Sequence, residues 1–319
     1  MRRLSRITLS LEEVIVKNDV GGRGVIEFLH EALKRKIDNP LEDAMKILEK
    51  SSSAIIVTGF NIPPNYKPET DGLIGAVVLA RALLETVSNN VLIILDDHKQ
   101  EDIIKGLLAV LDDKKYRLND RIDFLVQMNN EYLFRKAVQD KIASIDPNTA
   151  VFIEKPSPNR EGVMHNMRGI NISSYHLDPS LLLKIFREHG IKTIGIGDGG
   201  NEVGLGIIEE DIRKYVPYGN ICKCPCRAGI ASATVTDTVI VSAVSNWAAY
   251  ALEALILTIN GKHDMIHSDR EENILIRRAV EMGAIDGVRG EGFIGVDGIC
   301  PEDHVKILNN IRKISSLLL

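Results

Sequence analysis

The sequence lacks long hydrophobic runs, and it lacks concentrated positive charge. No apolar stretch among its 319 residues approaches the roughly 20 residues that cross a bilayer. The N-terminal segment Met1–Arg6 is basic but is not followed by the apolar region of a signal peptide. Lys and Arg are scattered among acidic residues, and the net charge is -5, which argues against a nucleic-acid surface. We therefore expect a soluble, cytoplasmic protein without membrane or nucleic-acid partners.

Glutamine and cysteine are also scarce. The chain contains only three glutamines, at positions 100, 127 and 139. A low content of such thermolabile residues is typical of thermophile proteins. Of the four cysteines, Cys222, Cys224 and Cys226 are separated by single residues, whereas zinc knuckles usually have two, and only the distant Cys300 completes a set. We expect reduced thiols, with a structural zinc site as the less favoured alternative.

Short apolar segments alternate with amphipathic helices along most of the chain. Such segments are typical of strands buried on both faces, and the alternation predicts an α/β fold with a mainly parallel sheet flanked by helices on both faces, a Rossmann-like three-layer arrangement. We expect one domain, 1–319, with a helical lead-in over 1–50 and an α/β core over 51–319. The predicted strands are 54–58, 91–95, 122–126, 150–153, 193–196 and 236–241.

Several helix limits are also readable. Asp178-Pro179 predicts a helix that ends before Gly190, and Asp269 begins another that ends at Gly283. A later helix is expected with Ser245 as its cap. The segment Asp19–Gly24 resembles a phosphate-binding loop only superficially, because it lacks the Lys-Ser/Thr ending and follows no strand.

Acidic residues follow the predicted strands. Ligands of open parallel sheets bind outside the carboxyl ends of the strands, and carboxylates that converge there require a cation or protons. Hard oxygen ligands favour magnesium, manganese or calcium. Any single carboxylate is alternatively a helix cap or a solvated loop charge, as we expect for Asp97 and for Asp112-Asp113. The acidic positions in question are Glu69, Asp71, Asp96, Asp97, Glu154 and Asp198.

The glycine-rich segment Thr193–Gly206 predicts a strand that enters a tight turn presenting Asp198, Asn201 and Glu202. A helix is expected to start near Asn201, and its free N–H groups would bind an anion bridged through a metal. The alternative is a turn that merely caps this helix. Gly199, Gly200 and Asn201 are therefore predicted to bind substrate.

A long loop over 154–172 and a late helix supply further candidates. The guanidinium of Arg168 suits a carboxylate or phosphate, and His165 suits proton transfer; Asn166 and Asn246 would contact the substrate. The plainer alternative for His165 is a hydrogen-bonded structural histidine. Trp247, on the same late helix, could line the same crevice, but a core position is the plainer alternative for it. The turns Asp286-Gly287 and Asp297-Gly298 suggest a small hairpin, with Asp297 facing a ligand only by conjecture.

Five segments together resemble the C-terminal domain of the D-glutamate cyclase family. They are Thr58–Pro63, Glu69–Gly72, His165–Gly169, Gly197–Glu202 and Val244–Trp247. The resemblance implies conversion of a small anionic substrate, D-glutamate, to 5-oxo-D-proline with loss of water. The segment Glu69–Ala76 is more distantly similar to DHH-type phosphoesterases, which bind manganese or magnesium through clustered acids and histidines.

The leading hypothesis is a metal-assisted lyase. In it, the expected metal ligands are Glu69, Asp71, Asp198 and Glu202. Arg168 binds the substrate carboxylate, and His165 or Glu202 transfers protons. A metal-dependent phosphohydrolase and a non-catalytic metal or amino-acid binding protein are the alternatives. The sequence leaves the oligomeric state open, a homo-oligomer included.

Overall fold

The computed structural model describes residues 2–17, 24–111 and 118–319, so that the Asp112-Asp113 pair and nearly all of the Asp19–Gly24 segment lie outside the described residues. The strands are β1 (Ala54–Thr58), β2 (Asn61–Ile62), β3 (Lys67–Pro68), β4 (Val91–Leu95), β5 (Ile122–Val126), β6 (Thr149–Ile153), β7 (Lys192–Gly197) and β8 (Thr238–Val241). The helices are α1 (Arg2–Val16), α2 (Ile26–Lys34), α3 (Pro40–Leu48), α4 (Leu73–Thr86), α5 (His98–Leu111), α6 (Glu131–Ile145), α7 (Pro179–Glu188), α8 (Glu209–Tyr215), α9 (Ser245–Ile259), α10 (Asp269–Glu281) and α11 (Pro301–Ser315).

Six strands form one parallel sheet in the order β5-β4-β1-β6-β7-β8. Numbered by their order along the chain, these strands follow the doubly wound order 3-2-1-4-5-6, in which the direction of winding reverses between the first and fourth strands. Here the reversal lies between β1 and β6. Ligand sites of doubly wound sheets lie outside the carboxyl ends of the strands at this reversal. The predicted parallel α/β fold is confirmed.

Helices cover both faces of this sheet, and alternate residues of β1 show why the strand is apolar throughout. Ile55 packs on one face with Phe134 of α6 and Phe186 of α7. Ile56 belongs to the larger core on the other face, which includes α4 and α9. Because successive strand side chains point to opposite faces, a strand covered on both sides needs an unbroken apolar sequence.

The lead-in helices pack against the core on the α9 side. Helix α1 lies within the predicted helical lead-in, although no separate bounds were predicted for it, and it buries Leu11 and Ile15 completely. The carbonyl of Ile15 accepts a hydrogen bond from the backbone N–H of Ala243 at 2.8 Å, just before α9. The lead-in thus supports the helix whose N-terminus faces the site. None of the helices in the described ranges is long and apolar enough to span a membrane.

The predicted strand limits agree closely with the structure, except that β8 begins at Thr238 rather than at 236. The reason is a side chain. Asp237 Oδ2 accepts hydrogen bonds from the backbone N–H and the hydroxyl of Thr193 at 2.9 and 2.8 Å. The Asp237 carboxylate therefore replaces a backbone partner at the start of this strand. The turns at Asp286 and Asp297 form only isolated bridges within the described residues, instead of the suggested hairpin.

Candidate active site

Five buried carboxylates converge at the carboxyl edge of the sheet, and we call them the acid centre: Asp71, Glu154, Asp198, Glu202 and Asp297. Oxygen atoms of Asp71, Asp198 and Asp297 lie within 4.8 Å of one another. The same limit holds for oxygen atoms of Glu154, Asp198 and Glu202. None of the five is more than 5% exposed. Asp198 belongs to both groups and therefore lies at the middle of the acid centre.

Asp71 lies where the N-termini of two helices meet. Its carboxylate accepts hydrogen bonds from the backbone N–H groups of Ser245 and Asn246, both at 2.8 Å, which are the first two residues of α9. The side chain of Asn246 in turn caps α4, since its Oδ1 accepts from the backbone N–H groups of Gly72 at 2.9 Å and Gly75 at 2.7 Å. Two positive helix ends thus stabilise the negative charge.

The predicted role of Ser245 as a helix cap is wrong, because Ser245 is the first helical residue and Asp71 accepts its N–H. The hydroxyl of Ser245 donates instead to Glu154 Oε2 at 2.6 Å. Asn246 is completely buried between α4 and α9, where it ties the two helix ends together. The structure therefore places Asn246 behind the acid centre, in a supporting position rather than in contact with a ligand.

Glu154 directly follows β6 and has a left-handed backbone, with φ 46°. This conformation costs a residue with a Cβ roughly 1–2 kcal/mol, and such strain is concentrated at functional sites. Gly72 makes the close approach possible: a Cβ at this glycine would lie 2.8 Å from the Cβ of Glu154. The sequence analysis noted Glu154 after its strand but did not include it among the site residues, since backbone strain is invisible in a sequence.

The glycine-rich turn differs from its prediction in one respect. No helix begins at Asn201; a 3₁₀ turn covers Leu205–Ile208 and α8 follows. The backbone N–H groups of Gly199 and Gly200, predicted to bind substrate, donate instead to the Glu202 carboxylate at 2.9 and 2.8 Å. The turn is therefore closed by its own carboxylate, which satisfies the N–H groups that a helix start would have offered to an anion.

Asp297 completes the acid centre from the far end of the chain. It has φ 53°, again left-handed, and it is 2% exposed. Asp286 shapes this segment, since its carboxylate accepts from the backbone N–H groups of Val288, at 2.9 Å, and Gly298, at 2.7 Å. Its proximity to Asp71 and Asp198 was only a conjecture in the sequence, because nothing local shows that the C-terminal turns reach the carboxyl edge.

A cleft of about 390 Å³ opens beside the acid centre. Glu154 and Asp198 form its acidic wall. Three predicted ligand-binding residues border it as well, Asn166, Arg168 and Asn201, together with the predicted metal ligand Glu69. Glu69 reaches the cleft but belongs to neither of the two close groups of carboxylates. The cleft thus combines an acidic wall with one exposed guanidinium, an arrangement that suits a ligand carrying both charges.

The side-chain amide of Asn201 donates one hydrogen bond, whereas its oxygen is a buried acceptor. Its Nδ2 donates to the carbonyl oxygen of His165 at 2.9 Å. Its Oδ1 has no hydrogen-bond partner among the described residues, and the residue is 1% exposed. A buried acceptor left without a partner costs about 1–3 kcal/mol, so that a ligand N–H at this point would be stabilising.

His165 does not face the acid centre through its ring. The Nε2 atom lies 3.1 Å from Cys224 Sγ and 3.7 Å from Cys226 Sγ. Burial lowers the pKa of His165, and a backbone hydrogen bond with Val163 only partly offsets this. The imidazole is therefore neutral near pH 7, in a pocket of thiols, which removes the geometric basis for its predicted role in proton transfer.

The acids after β4 lie in another environment. Asp96 forms a buried ion pair with Lys155, and its Oδ1 also accepts from the backbone N–H of Leu177 at 2.7 Å. Asp97 caps α5 through the backbone N–H of Lys99 at 2.8 Å, as the plainer interpretation predicted. His98 is exposed beside Glu101. These residues line a different pocket, so the distant phosphoesterase similarity receives no support from their placement.

The electrostatics of the acid centre follow from burial and repulsion. Burial, with the nearby charge of Asp198, raises the pKa of Asp71 to about 7, although the three backbone N–H groups that it accepts act in the opposite direction. Burial also raises the pKa of Glu154 well above its usual range, assisted by Asp198 and Glu202. Without a compensating charge, the acid centre retains protons at a pH where exposed carboxylates are ionised.

A family model described as D-glutamate cyclase-like, C-terminal matches residues 11–312. The chain belongs to this family. It is 30% identical over 254 residues to the mitochondrial D-glutamate cyclase of Homo sapiens, an alignment that covers 75% of this chain and 37% of that protein. The chain thus spans little more than a third of the length of this curated relative.

Membership of the D-glutamate cyclase-like family accords with the segments that suggested it. Four of those five segments contribute a residue to the acid centre or to its cleft: Asp71, Asn166, Asp198 and Phe60. The fifth begins α9, whose N–H groups bind Asp71. In this D-glutamate cyclase-like chain, the family segments therefore meet at one place in the fold.

Proposed function

We propose that this chain is a lyase of the D-glutamate cyclase type, which closes D-glutamate to 5-oxo-D-proline with loss of water in the cleft beside the acid centre. The observation that carries the proposal is the position of Asp198, between the close carboxylate groups and the cleft. Family membership supports the same reaction class. The exposed Arg168, which also lines the cleft, gives it a counter-charge for a carboxylate substrate.

We further propose that Asp71, Asp198 and Asp297 bind one divalent cation, magnesium or manganese, with calcium as the other candidate. The donor atoms are hard carboxylate oxygens, which suit these ions. Burial of several carboxylates within 4.8 Å of one another is costly unless positive charge or protons compensate. A bound cation would offset this repulsion and polarise the substrate's side-chain carboxyl group.

The cleft residues then orient the substrate. Arg168 binds the α-carboxylate, for which its planar set of donors is suited. The free Oδ1 of Asn201 accepts a hydrogen bond from the α-amino group. Holding both groups turns the side-chain carboxyl carbon toward the amine, and an intramolecular reaction gains much from such orientation.

Ring closure forms a bond between the amine nitrogen and the side-chain carboxyl carbon and breaks a carbon–oxygen bond, so that one water molecule leaves. The ammonium nitrogen gives up two protons, and the departing carboxylate oxygen gains two and leaves as water. Glu154 is the residue that we assign to this proton transfer, because it borders the cleft and its pKa is raised by burial and by the neighbouring carboxylates. A raised pKa allows a carboxyl group to act as an acid near neutral pH.

The test is incubation of the full chain with D-glutamate or L-glutamate, with added magnesium, manganese or a chelator, followed by chiral chromatography of 5-oxoproline. The proposal predicts 5-oxo-D-proline from D-glutamate only, with loss of turnover in chelator. Tight binding of glutamate without product would favour a non-catalytic binding protein. Release of phosphate from generic phosphoesters, without lactam formation, would favour the phosphohydrolase alternative.

A further inference from the structure

A second group of ligand-type side chains lies outside the acid centre. The thiols of Cys222, Cys224 and Cys226 surround the ring of His165, and one potential ligand atom from each of the four lies within 4.8 Å of the others. His165 is completely buried, and Cys222 and Cys224 are 2% and 9% exposed. Such a set of soft and imidazole donors differs in chemistry from the oxygen donors of the acid centre.

The donor atoms form a compact group whose sulfur–sulfur distances are slightly shorter than those around a bound zinc ion. The three sulfur–sulfur distances are 3.5, 3.3 and 3.2 Å, and the imidazole Nε2 lies 3.1 Å and 3.7 Å from two of the sulfurs. Around a tetrahedral zinc ion with Zn–S near 2.3 Å, sulfurs are about 3.8 Å apart. A disulfide would require about 2.05 Å. A [4Fe–4S] cluster would require wider spacing, because each of its thiolates binds a different iron.

The three cysteines lie in a long irregular loop that a cross-link would stabilise. Residues 216–237, between α8 and β8, contain no helix or strand, and loops this long without secondary structure are uncommon unless they are functional or otherwise constrained. The backbone N–H of Lys223 donates to the carbonyl of Gly169 at 2.9 Å, so this loop already touches the 165–170 loop. A metal shared between the two loops would fix their mutual position.

We propose that His165, Cys222, Cys224 and Cys226 bind one structural zinc ion that joins the 216–237 loop to the 165–170 loop. All four ligand positions are then filled by protein, as in closed structural zinc sites. The preference for free thiols in the sequence analysis followed from one-residue spacing and from the search for a fourth cysteine, whereas the fourth ligand is a histidine 59 residues before Cys224.

The zinc ion would affect the cleft only by fixing residues that border it, without taking part in the reaction. Asn166 and Arg168, which border the cleft, lie one and three residues after His165 in the chain. The carbonyl of His165 also accepts from Asn201 Nδ2, which orients the amide whose other end faces buried space. Binding of zinc would therefore order one side of the cleft, independently of the cation proposed for the acid centre and of the reaction itself.

The test is metal analysis of the untagged full chain, purified without chelators, by inductively coupled plasma mass spectrometry. We expect one zinc per chain, and a thiolate-to-metal charge-transfer band after replacement by cobalt. Cys224→Ser should lose most of the zinc, whereas Cys300→Ser, which removes a thiol that contacts Asp303 instead, should retain it. Asp198→Asn, a change in the acid centre, should also retain it.

A second measurement keeps the test valid if Cys224→Ser fails to fold. In the native chain, a thiol reagent should modify only Cys300 until zinc is removed by a strong chelator, and all four thiols afterwards. Zinc-free preparations that show no charge-transfer band with added cobalt would overturn the proposal. Equimolar iron in place of zinc, or a disulfide among Cys222, Cys224 and Cys226, would overturn it equally.

Discussion

Asp71 and Asn246 join the beginnings of two helices. The backbone N–H of Asn246 donates to Asp71 Oδ1 at 2.8 Å, and Asn246 Oδ1 accepts from the backbone N–H of Gly72, the next residue after Asp71, at 2.9 Å. Each residue therefore caps the other's helix, and the carboxylate at the acid centre is fixed by the packing of α4 against α9.

Replacement of Asn246 by Ala should destabilise the protein by about 1–3 kcal/mol, because the buried N–H of Gly75 would lose its acceptor and that of Gly72 would keep only Asp71 Oδ1, at 3.0 Å. Chemical unfolding monitored by circular dichroism measures the change. Asn260→Ala at the exposed end of the same helix is the matched control, with an expected loss below about 1 kcal/mol. Equal effects for the two variants would contradict the proposed capping role.

Replacement of Asp198 by Asn should have opposite effects with and without cation. Without cation, loss of a charge beside Asp71 and Glu154 relieves repulsion, so the melting temperature should rise. Affinity for manganese should fall at least about tenfold, since the shared ligand is lost. Calorimetry and thermal unfolding test both effects, with Asp140→Asn on the exposed side of α6 as control. Unchanged manganese affinity would count against the cation site.

The pH dependence of stability should reveal the proton on Asp71. Burial and Asp198 raise the pKa of Asp71 from 3.8 to about 7 in the folded chain, so the folded state binds this proton more tightly than the unfolded state. The resulting contribution to stability is complete below about pH 4 and is lost as the pH rises to about 7. Comparison of the metal-free wild type with Asp71→Asn isolates this contribution. The difference in unfolding free energy between the two proteins should change between about pH 4 and pH 7. A difference that stays constant over this range would refute the raised pKa of Asp71.

Arg168 should determine substrate affinity rather than the rate of chemistry. Its replacement by Gln should raise KM for glutamate about 10-fold to 100-fold, with a smaller change in kcat, because the α-carboxylate is bound equally in the ground and transition states. Steady-state kinetics test this, with the exposed Arg187→Gln of α7 as control. A fall in kcat at constant KM would assign Arg168 to the chemical step instead.

The sequence predicts the sheet well because its strands are buried on both faces. Continuous apolar segments such as Ala54–Thr58 and Val91–Leu95 have limits that agree with the structure, since burial alone fixes them. Helix α1 lies within the predicted helical lead-in over 1–50, but its own bounds were not predicted, because the polar residues of its amphipathic sequence mask the apolar stripe that includes Leu11 and Ile15. The expected helix at Asn201 was wrong because a side chain, Glu202, satisfies the N–H groups that a helix would have left free.

The acid centre was predicted in part for a similar reason. Asp71 and Asp198 come close together because the carboxyl ends of parallel strands share one edge. Asp297 and the grouping of His165 with Cys222 depend on long-range contacts between irregular loops, which have no periodic pattern. The left-handed backbone of Glu154 likewise has no sequence signature, since residues with a Cβ rarely adopt it.

The most direct measurement of the central claim is anomalous diffraction from crystals of the full chain soaked with manganese. We predict a peak within about 2.0–2.6 Å of carboxylate oxygens from Asp71, Asp198 and Asp297, and loss of that peak in Asp198→Asn. Manganese bound elsewhere, with these three side chains uncoordinated at saturating concentration, would contradict the account.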